Sequence, residues 1–471
     1  MSLSTKLKRF LTMKKNNILL IFILASFNGY SMTQSEFIEL YKSSHPSFKS
    51  QELESEIKQL DFEYAKGIED WNLSISTSYQ DIDKTGFTGV TTGVSEINTL
   101  GLSASRKFVD SGVDITLANT ITDSTIASSD RGNVKTSLDI SLPLMKNAFG
   151  LNDRLNIDLA KIEIEKHILD KFEKNEKSIA IALKTFIDLA FYEEQLKINQ
   201  ERFNLAKSEH ELSTKKYKAS VIDKADMLLQ DVTLQNSKKQ LIKSEQELAI
   251  IKEEIALLIN MKSSLVSSTN FDLYKIANID LSNIKSYLVI NSRELNSINL
   301  EKKLNERKIS SYENKTLPNL DLDIGITSEG QKDNISNANS NQKTSWNVGL
   351  TYSLPIGQTQ EKSELLKARK MIKQSELKYD ELLIDLMTLG RKYSQQVDSL
   401  KEIINIEKKQ ILIANERSRE QRENYNNGNG EMEFVISAQD SVQSARLNLA
   451  ESVTQYQKLL IDIKALLDQL I

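Results

Sequence analysis

The chain contains no cysteine, which rules out structural disulfides, thiolate metal sites and thiol catalysis. Proline (4) and glycine (16) are scarce in 471 residues, so long, uninterrupted elements are expected rather than many turns. Neither sign of charge dominates: 61 Lys and Arg face 65 Asp and Glu, for a net charge of −4. That balance gives no reason to expect a nucleic-acid partner. No apolar run reaches the roughly 18 residues a membrane-spanning helix needs. The three histidines, His45, His167 and His210, stand apart without a second ligand at metal spacing, so no metal is expected and each is read as a helix-surface residue. Gly428-Asn-Gly430 has no preceding strand and no lysine, so it reads as a turn and not a phosphate loop. No cofactor motif and no acid–base constellation are present, and no enzymatic activity is expected.

The N-terminus differs from the rest. Lys6, Lys8, Arg9, Lys14 and Lys15 precede the apolar run Ile18–Phe27, which has the length of a signal-peptide core. Gly29 and Ser31 occupy the −3 and −1 positions of a peptidase site, so residues 1–31 are predicted to be removed. Met13-Lys-Lys offers an alternative start to Met1. The competing reading is an N-terminal membrane anchor, for which the run is too short.

Two kinds of segment then alternate. Helices are predicted over 35–68, 147–216, 222–260, 281–315, 358–424 and 431–470. In 147–216, residues Leu155, Leu159, Ile162, Leu169, Phe172, Ile179, Leu183, Phe186 and Ala190 recur at heptad-like gaps, the pattern of helix-on-helix packing. Leu365, Ala368, Ile372, Tyr379, Leu382, Leu386, Leu389, Tyr393, Leu400, Ile404 and Ile411 repeat that seam in 358–424. At 1.5 Å per residue each of these two helices reaches roughly 100 Å.

Strands are predicted over 71–82, 97–143, 319–327 and 345–355, where apolar and polar residues alternate strictly. Trp71, Leu73, Ile75 and Tyr79 share one face, as do Leu138, Ile140 and Leu142, then Leu320, Leu322, Ile324 and Ile326, then Trp346, Val348, Leu350 and Tyr352. Asp110-Ser-Gly112 marks the turn of a hairpin near 98–121. Polar stretches at 83–96, 122–133 and 328–344 are predicted loops.

The order repeats itself: helix, strands, long helix, tip, returning helix. Residues 32–260 form the first repeat, 261–280 a linker and 281–471 the second repeat. Ser141-Leu-Pro-Leu144 matches Ser353-Leu-Pro-Ile356 at the strand exits, and Tyr217-Lys-Ala-Ser220 matches Tyr425-Asn-Asn-Gly428 at the tips. Strands apolar on one face and polar on the other, with aromatic ends, fit a barrel wall with lipid outside and water inside. Each half supplies too few strands to close such a wall, so several chains are expected to share one barrel, because lipid tolerates no open sheet edge. Asp81-Ile-Asp83 and Asp321-Leu-Asp323 are then polarity on the lumen side or rim.

This ordered set resembles the TolC-like outer-membrane efflux protein family over residues 32–471. The resemblance implies a mixed fold: a transmembrane β-barrel of twelve strands shared by a homotrimer, about four strands per copy, joined to a long periplasmic α-helical barrel. The hairpin near 98–121 is extra to that plan: it either extends the barrel beyond twelve strands or folds as a periplasmic or extracellular flap. The resemblance further implies a passive exit duct for a tripartite efflux pump or a type I secretion system. Its partners are a periplasmic adaptor protein, an inner-membrane transporter and outer-membrane lipid. The tips close the periplasmic entrance and meet the adaptor. Asp226, Tyr425, Asp223, Glu431 and Glu433 are the gate candidates, and Tyr217, Ser220 and Gly428 the docking candidates. The sequence departs from the family pattern at Ser220, at Phe434-Val435 and at Gly430, which stands where an arginine latch is expected. The competing class is a periplasmic coiled-coil scaffold whose strands form a soluble sheet.

Overall fold

A computed structural model describes residues 32–81, 94–126, 129–277, 279 and 283–470. The signal segment with its cleavage point after Ser31, both alternative start methionines, and Asp83 lie outside the described residues. The chain divides into two compact units, one of residues 188–272 with the chain up to Phe37, the other of 38–187 and 273–471.

The first unit is a helical hairpin. Helix α3 (Leu155–Lys218) enters it near Asp188, and α4 (Lys224–Ile259) returns. Gln230, Thr233, Ser237, Leu241, Ser244, Leu248, Ile251, Ile255 and Ile259 of α4 are buried in a run of three- and four-residue steps, with Ala256 beside them. The Thr233, Ser237 and Ser244 hydroxyls donate to carbonyls of the preceding turn at 2.8–2.9 Å, and leucine and isoleucine fill most of the other positions. Asn260, left-handed at φ 53°, ends the helix. The N-terminal segment is tied in through Met32 N–H, which donates to the Ser267 carbonyl at 3.0 Å.

The second unit holds all the strands and the remaining helices: α1 (Gln34–Ser44, which starts in the first unit), α2 (Pro46–Lys66), α5 (Ile284–Asn291), α6 (Arg293–Lys315), α7 (Ile335–Ser340), α8 (Thr359–Asn426) and α9 (Met432–Leu466). The helices predicted over 35–68 and 281–315 are each two. Pro46 starts α2 because it has no N–H to give the preceding turn, and Ser292, extended at φ −62° and ψ 120°, caps α6 by accepting from Leu295 N–H. The helix predicted from 147 begins only at Leu155, after a tight turn in which Asn147 and Phe149 are left-handed.

Both predicted seams are present, with one exception: Phe172 is 42% exposed. Ile179, Leu183, Phe186 and Ala190 are buried. In α8, which packs on α6 and α9, the buried positions are Ala368, Ser375, Gly390, Val397 and Ile404. Gly390 is where α5 crosses α8: a Cβ there would lie 2.2 Å from Ile284 Cδ1.

Among the described residues the strands form one sheet of six in sequence order: β1 (Asn72–Asp81), β2 (Val94–Phe108), β3 (Val113–Ile126), β4 (Ser129–Pro143), β5 (Asn319–Lys332) and β6 (Lys343–Ser353). Every neighbouring pair is antiparallel. The expected extra hairpin supplies β2 and β3, which join the other four strands within the sheet. Much of the predicted loops at 122–133 and 328–344 is strand as well. Their Ser, Thr, Asn and Gly residues carry no packing signal, but ladder hydrogen bonds hold them without one.

Candidate functional site: a two-faced wall and two helical turns

Register makes the two faces of the sheet continuous. Ile75 pairs with Leu102, Leu117 with Leu138, Leu138 with Ile326, and Ile326 with Trp346, so all these side chains share one face. Among the described residues no helix of the unit covers that face at its exposed positions: Leu73, Ile75, Trp346, Val348 and Leu350 are 58–78% exposed, and Leu102, Leu117 and Ile326, in the middle strands, 43–50%. Aromatic residues mark both ends. Trp71 and Phe108 lie at the end nearest the long helices, with the Arg106 guanidinium over both rings at 5.9 and 5.0 Å, and Tyr79 and Trp346 lie toward the other end. At that far end α7 folds over β4 and β5. Two glycines permit it: a Cβ on Gly132 or Gly330 would fall within 2.3 Å of α7 backbone.

The opposite face is polar. Ser74 and Ser103 hydroxyls meet at 2.7 Å, and Asp323 accepts from Ser141 at 2.7 Å and Thr351 at 3.1 Å. Asp321 and Asp139 lie on this same face, opposite Thr351 and Gly325 in the ladder. Both edge strands are open: every residue of β1 is exposed, as is nearly every residue of β6.

Sheet and helices meet at a tight junction. The Asn147 side chain accepts from the backbone N–H of Asn152 and Asp153 and donates to Asp153 at 2.7 Å. Asn314, on α6, accepts from Asn147 N–H and from the Asn152 amide. The β2–β3 turn packs into the same place, where Gly150 and Gly112 have positive φ and a Cβ on Gly150 would strike the Val109 carbonyl.

The candidate tip residues fall on two turns of the same design, one in each unit. Ser220 N–H donates to Tyr217 O and Val221 N–H to Lys216 O; Gly428 N–H donates to Tyr425 O and Asn429 N–H to Asn424 O. Ser220 and Gly428 both adopt positive φ, 58° and 77°. These are matching Schellman closures, and they agree with the alignment of Tyr217–Ser220 on Tyr425–Gly428 read from sequence. Asp223 caps α4 by accepting from Asp226 N–H at 2.8 Å, and Asp226 sits half-buried in the first turn. Glu431 occupies the corresponding cap of α9 with no side-chain hydrogen bond, and Glu431 and Glu433 are exposed. Tyr217 is exposed and Tyr425 half-buried.

One cluster escaped the sequence reading. Arg293 opens α6 with its guanidinium among three carboxylates: it pairs with Glu176, lies 3.3 Å from Asp468 and 3.7 Å from Glu173. Glu176 is 1% exposed and also accepts Leu470 N–H at 2.7 Å, which ties down the chain after α9. Burial, and then the Glu294 carboxylate, pushes Glu173 above the usual carboxylate range. Burial raises Asp468 too, against the lowering pull of Arg293. The three carboxylates lie close enough together to hold a metal ion, but the guanidinium already supplies the positive charge. The histidines also differ from expectation. His45 caps α2 by accepting from Ser47 N–H, His167 is buried with Nε2 3.1 Å from the Ser55 hydroxyl, and His210 lies 3.7 Å from Asp231. The contacts of His167 and His210 come from nearness in space, not in sequence, so spacing gave no signal for them.

A six-stranded antiparallel sheet with a largely exposed apolar face, joined to helices of 64 and 68 residues, defines a mixed fold built from strands and long helices. The chain has the TolC-like fold in particular. It superposes on CusC, described as forming a transmembrane channel, with a TM-score of 0.67 at 13% identity over 95% of each chain. On the CmeC outer-membrane channel of Campylobacter jejuni the TM-score is 0.67 at 12% identity, covering 95% of this chain and 90% of the other. On the outer-membrane protein VceC of Vibrio cholerae it is 0.66 at 11% identity, covering 92% and 95%. No family model matches the sequence, and no curated protein matches it.

Proposed function

We propose that the chain is a subunit of an outer-membrane channel, a passive exit duct in which three copies share one barrel and one periplasmic helical tunnel. The observation that carries this reading is the uncovered apolar face. A soluble scaffold would hold Leu73, Ile75, Trp346, Val348 and Leu350 against water at 58–78% exposure, at about 25 cal/mol per Å² of apolar surface. Lipid removes that cost. Among the described residues no helix is long and apolar enough to cross a membrane; in this reading the strands, with their exposed apolar face, are the spanning elements.

The open edges support sharing between copies. Lipid leaves no water to satisfy the free backbone groups of β1 and β6, so a neighbouring strand must. The helices carry matching support. Leu53, Ile57, Leu60 and Tyr64 of α2 are 51–88% exposed at heptad steps, a seam suited to a second copy.

In this reading the two Schellman turns form the periplasmic entrance. Asp226 and Tyr425 are its closing residues, with Asp223, Glu431 and Glu433 adding carboxylates, and Gly430 leaves no arginine latch. Tyr217, Ser220 and Gly428 offer the docking surface for a periplasmic adaptor, through which an inner-membrane transporter drives export. Efflux and type I secretion both fit such a duct. Purification from outer-membrane fractions in detergent, with mass by light scattering, tests the reading. A particle of three copies that conducts ions in a planar bilayer is expected; a soluble monomer obtained without detergent would leave the scaffold as the better account.

A further inference from the structure

We infer that the barrel has eighteen strands, six from each of three copies, instead of the twelve that the resemblance implies, and that its bore passes cargo as thick as an α-helix. The inference rests on the channel reading above.

The β2–β3 hairpin is part of the wall and not a flap on it. β2 pairs with β1 from Asn72 opposite Ser105 to Asp81 opposite Glu96, and β3 pairs with β4 from Asp114 opposite Ser141 to Ile126 opposite Ser129. Hinging the hairpin out would break both ladders and leave four strand edges where there are now none. Its faces are in phase with the rest, since Leu100, Leu102 and Ala104 on β2 and Leu117 on β3 continue the apolar face. Its turn is pinned at the junction. Val109 N–H donates to Glu69 at 3.2 Å, Lys107 lies 3.4 Å from both Asp114 and Asp153, and Arg154 lies 3.8 Å from Asp110.

Six is also an even number. β1 and β6 therefore run in opposite directions, so β6 of one copy beside β1 of the next continues the antiparallel order around a ring. The two strands are matched, at 10 and 11 residues.

Strand count fixes width. With strands about 4.8 Å apart and tilted about 40°, the wall diameter is about 24 Å for twelve strands and about 36 Å for eighteen. The same arithmetic gives about 16 Å for eight strands, the size at which inward side chains fill the interior. Subtracting even that filling leaves a free bore of at least about 20 Å for eighteen strands, about 12 Å more than for twelve. An α-helix with its side chains is about 10–12 Å across. The larger bore admits it, so the cargo class that fits this outer section extends to polypeptides that keep their helices.

The absence of cysteine makes the test direct. Ser76→Cys places a single spin label on the polar face of β1, and three copies place three at the corners of a triangle. Pulsed dipolar spectroscopy on the detergent-purified particle then reads the wall. The backbone separation is about 31 Å for eighteen strands and about 21 Å for twelve, and an inward label shortens both alike. A distance near the larger value, falling by about 10 Å when Val94–Ile126 is deleted, is the expected result. The full-length protein alone decides the matter if the deletion does not fold. A three-copy particle with the shorter distance overturns the eighteen-strand wall while leaving the channel reading intact. A particle without three copies overturns both.

Discussion

Arg293 grips Asp468 twice: its backbone N–H donates to Oδ2 at 2.7 Å, and its guanidinium lies 3.3 Å from Oδ1. One residue thus caps the start of α6 with the end of the chain, and the same guanidinium balances Glu176. Arg293→Ala leaves three carboxylates facing one another in a dry site. The expected cost is about 3 kcal/mol or more, read as a lower midpoint in thermal or denaturant unfolding of the detergent-solubilised protein. Arg293→Lys should restore little of it, because an ammonium lacks the fork that serves several carboxylates at once.

Stability in this region should fall as pH rises. Glu173 and Asp468 both titrate above their ordinary values in the folded chain. Between the unfolded and the raised folded values the native state holds more protons than the unfolded state, so raising pH through that window weakens folding. Hydrogen exchange at the N-terminus of α6, followed upward from the ordinary carboxylate range to neutral pH and corrected for the intrinsic rate, should show easier opening toward neutral pH. Glu173→Gln should flatten the profile, and an unchanged profile would show that the carboxylate is not the sensor.

The two turns invite opposite substitutions. Ser220 is left-handed without being glycine, and Gly428 is left-handed with open space for 4 Å around the point where a Cβ would stand. Ser220→Gly should stabilise its turn by about 1 kcal/mol, and Gly428→Ala should destabilise its own by a similar amount. Limited proteolysis at each turn reads the sign.

Adjacent residues of β6 should respond in opposite ways to the same change. Val348 faces the apolar side at 58% exposure and Asn347 the polar side. Val348→Arg should cost about 2–4 kcal/mol at the membrane centre and reduce the assembled protein in outer-membrane fractions. Asn347→Arg should assemble normally and alter ion selectivity in single-channel recordings.

Much of this wall was legible in the sequence, because alternation at Trp71–Tyr79, Leu138–Leu142, Leu320–Ile326 and Trp346–Tyr352 reports which side chains share a face. The hairpin near 98–121 was legible from its turn at Asp110-Ser-Gly112, but its place inside the sheet was not. β2 and β3 interrupt their alternation with Asn98, Asn119 and Asp123 on the apolar face, so pairing with β1 and β4 on both flanks defines them better than their own residues do. Helix lengths and the match of the two tips followed from heptad gaps and from Tyr217 and Tyr425. Arg293 was missed because its partners lie at Glu173, Glu176 and Asp468, far away along the chain. His167 was misread for the same reason: only the folded chain places Ser55 beside it.

The bare edges of β1 and β6 have a consequence for biogenesis. If copies share one barrel as proposed, a newly exported copy has no finished form of its own. It arrives in the periplasm with two strands seeking mates and an apolar sheet face seeking lipid, the combination most prone to aggregate. Assembly and insertion must therefore be one coupled event, and a lone copy needs an escort until its neighbours arrive.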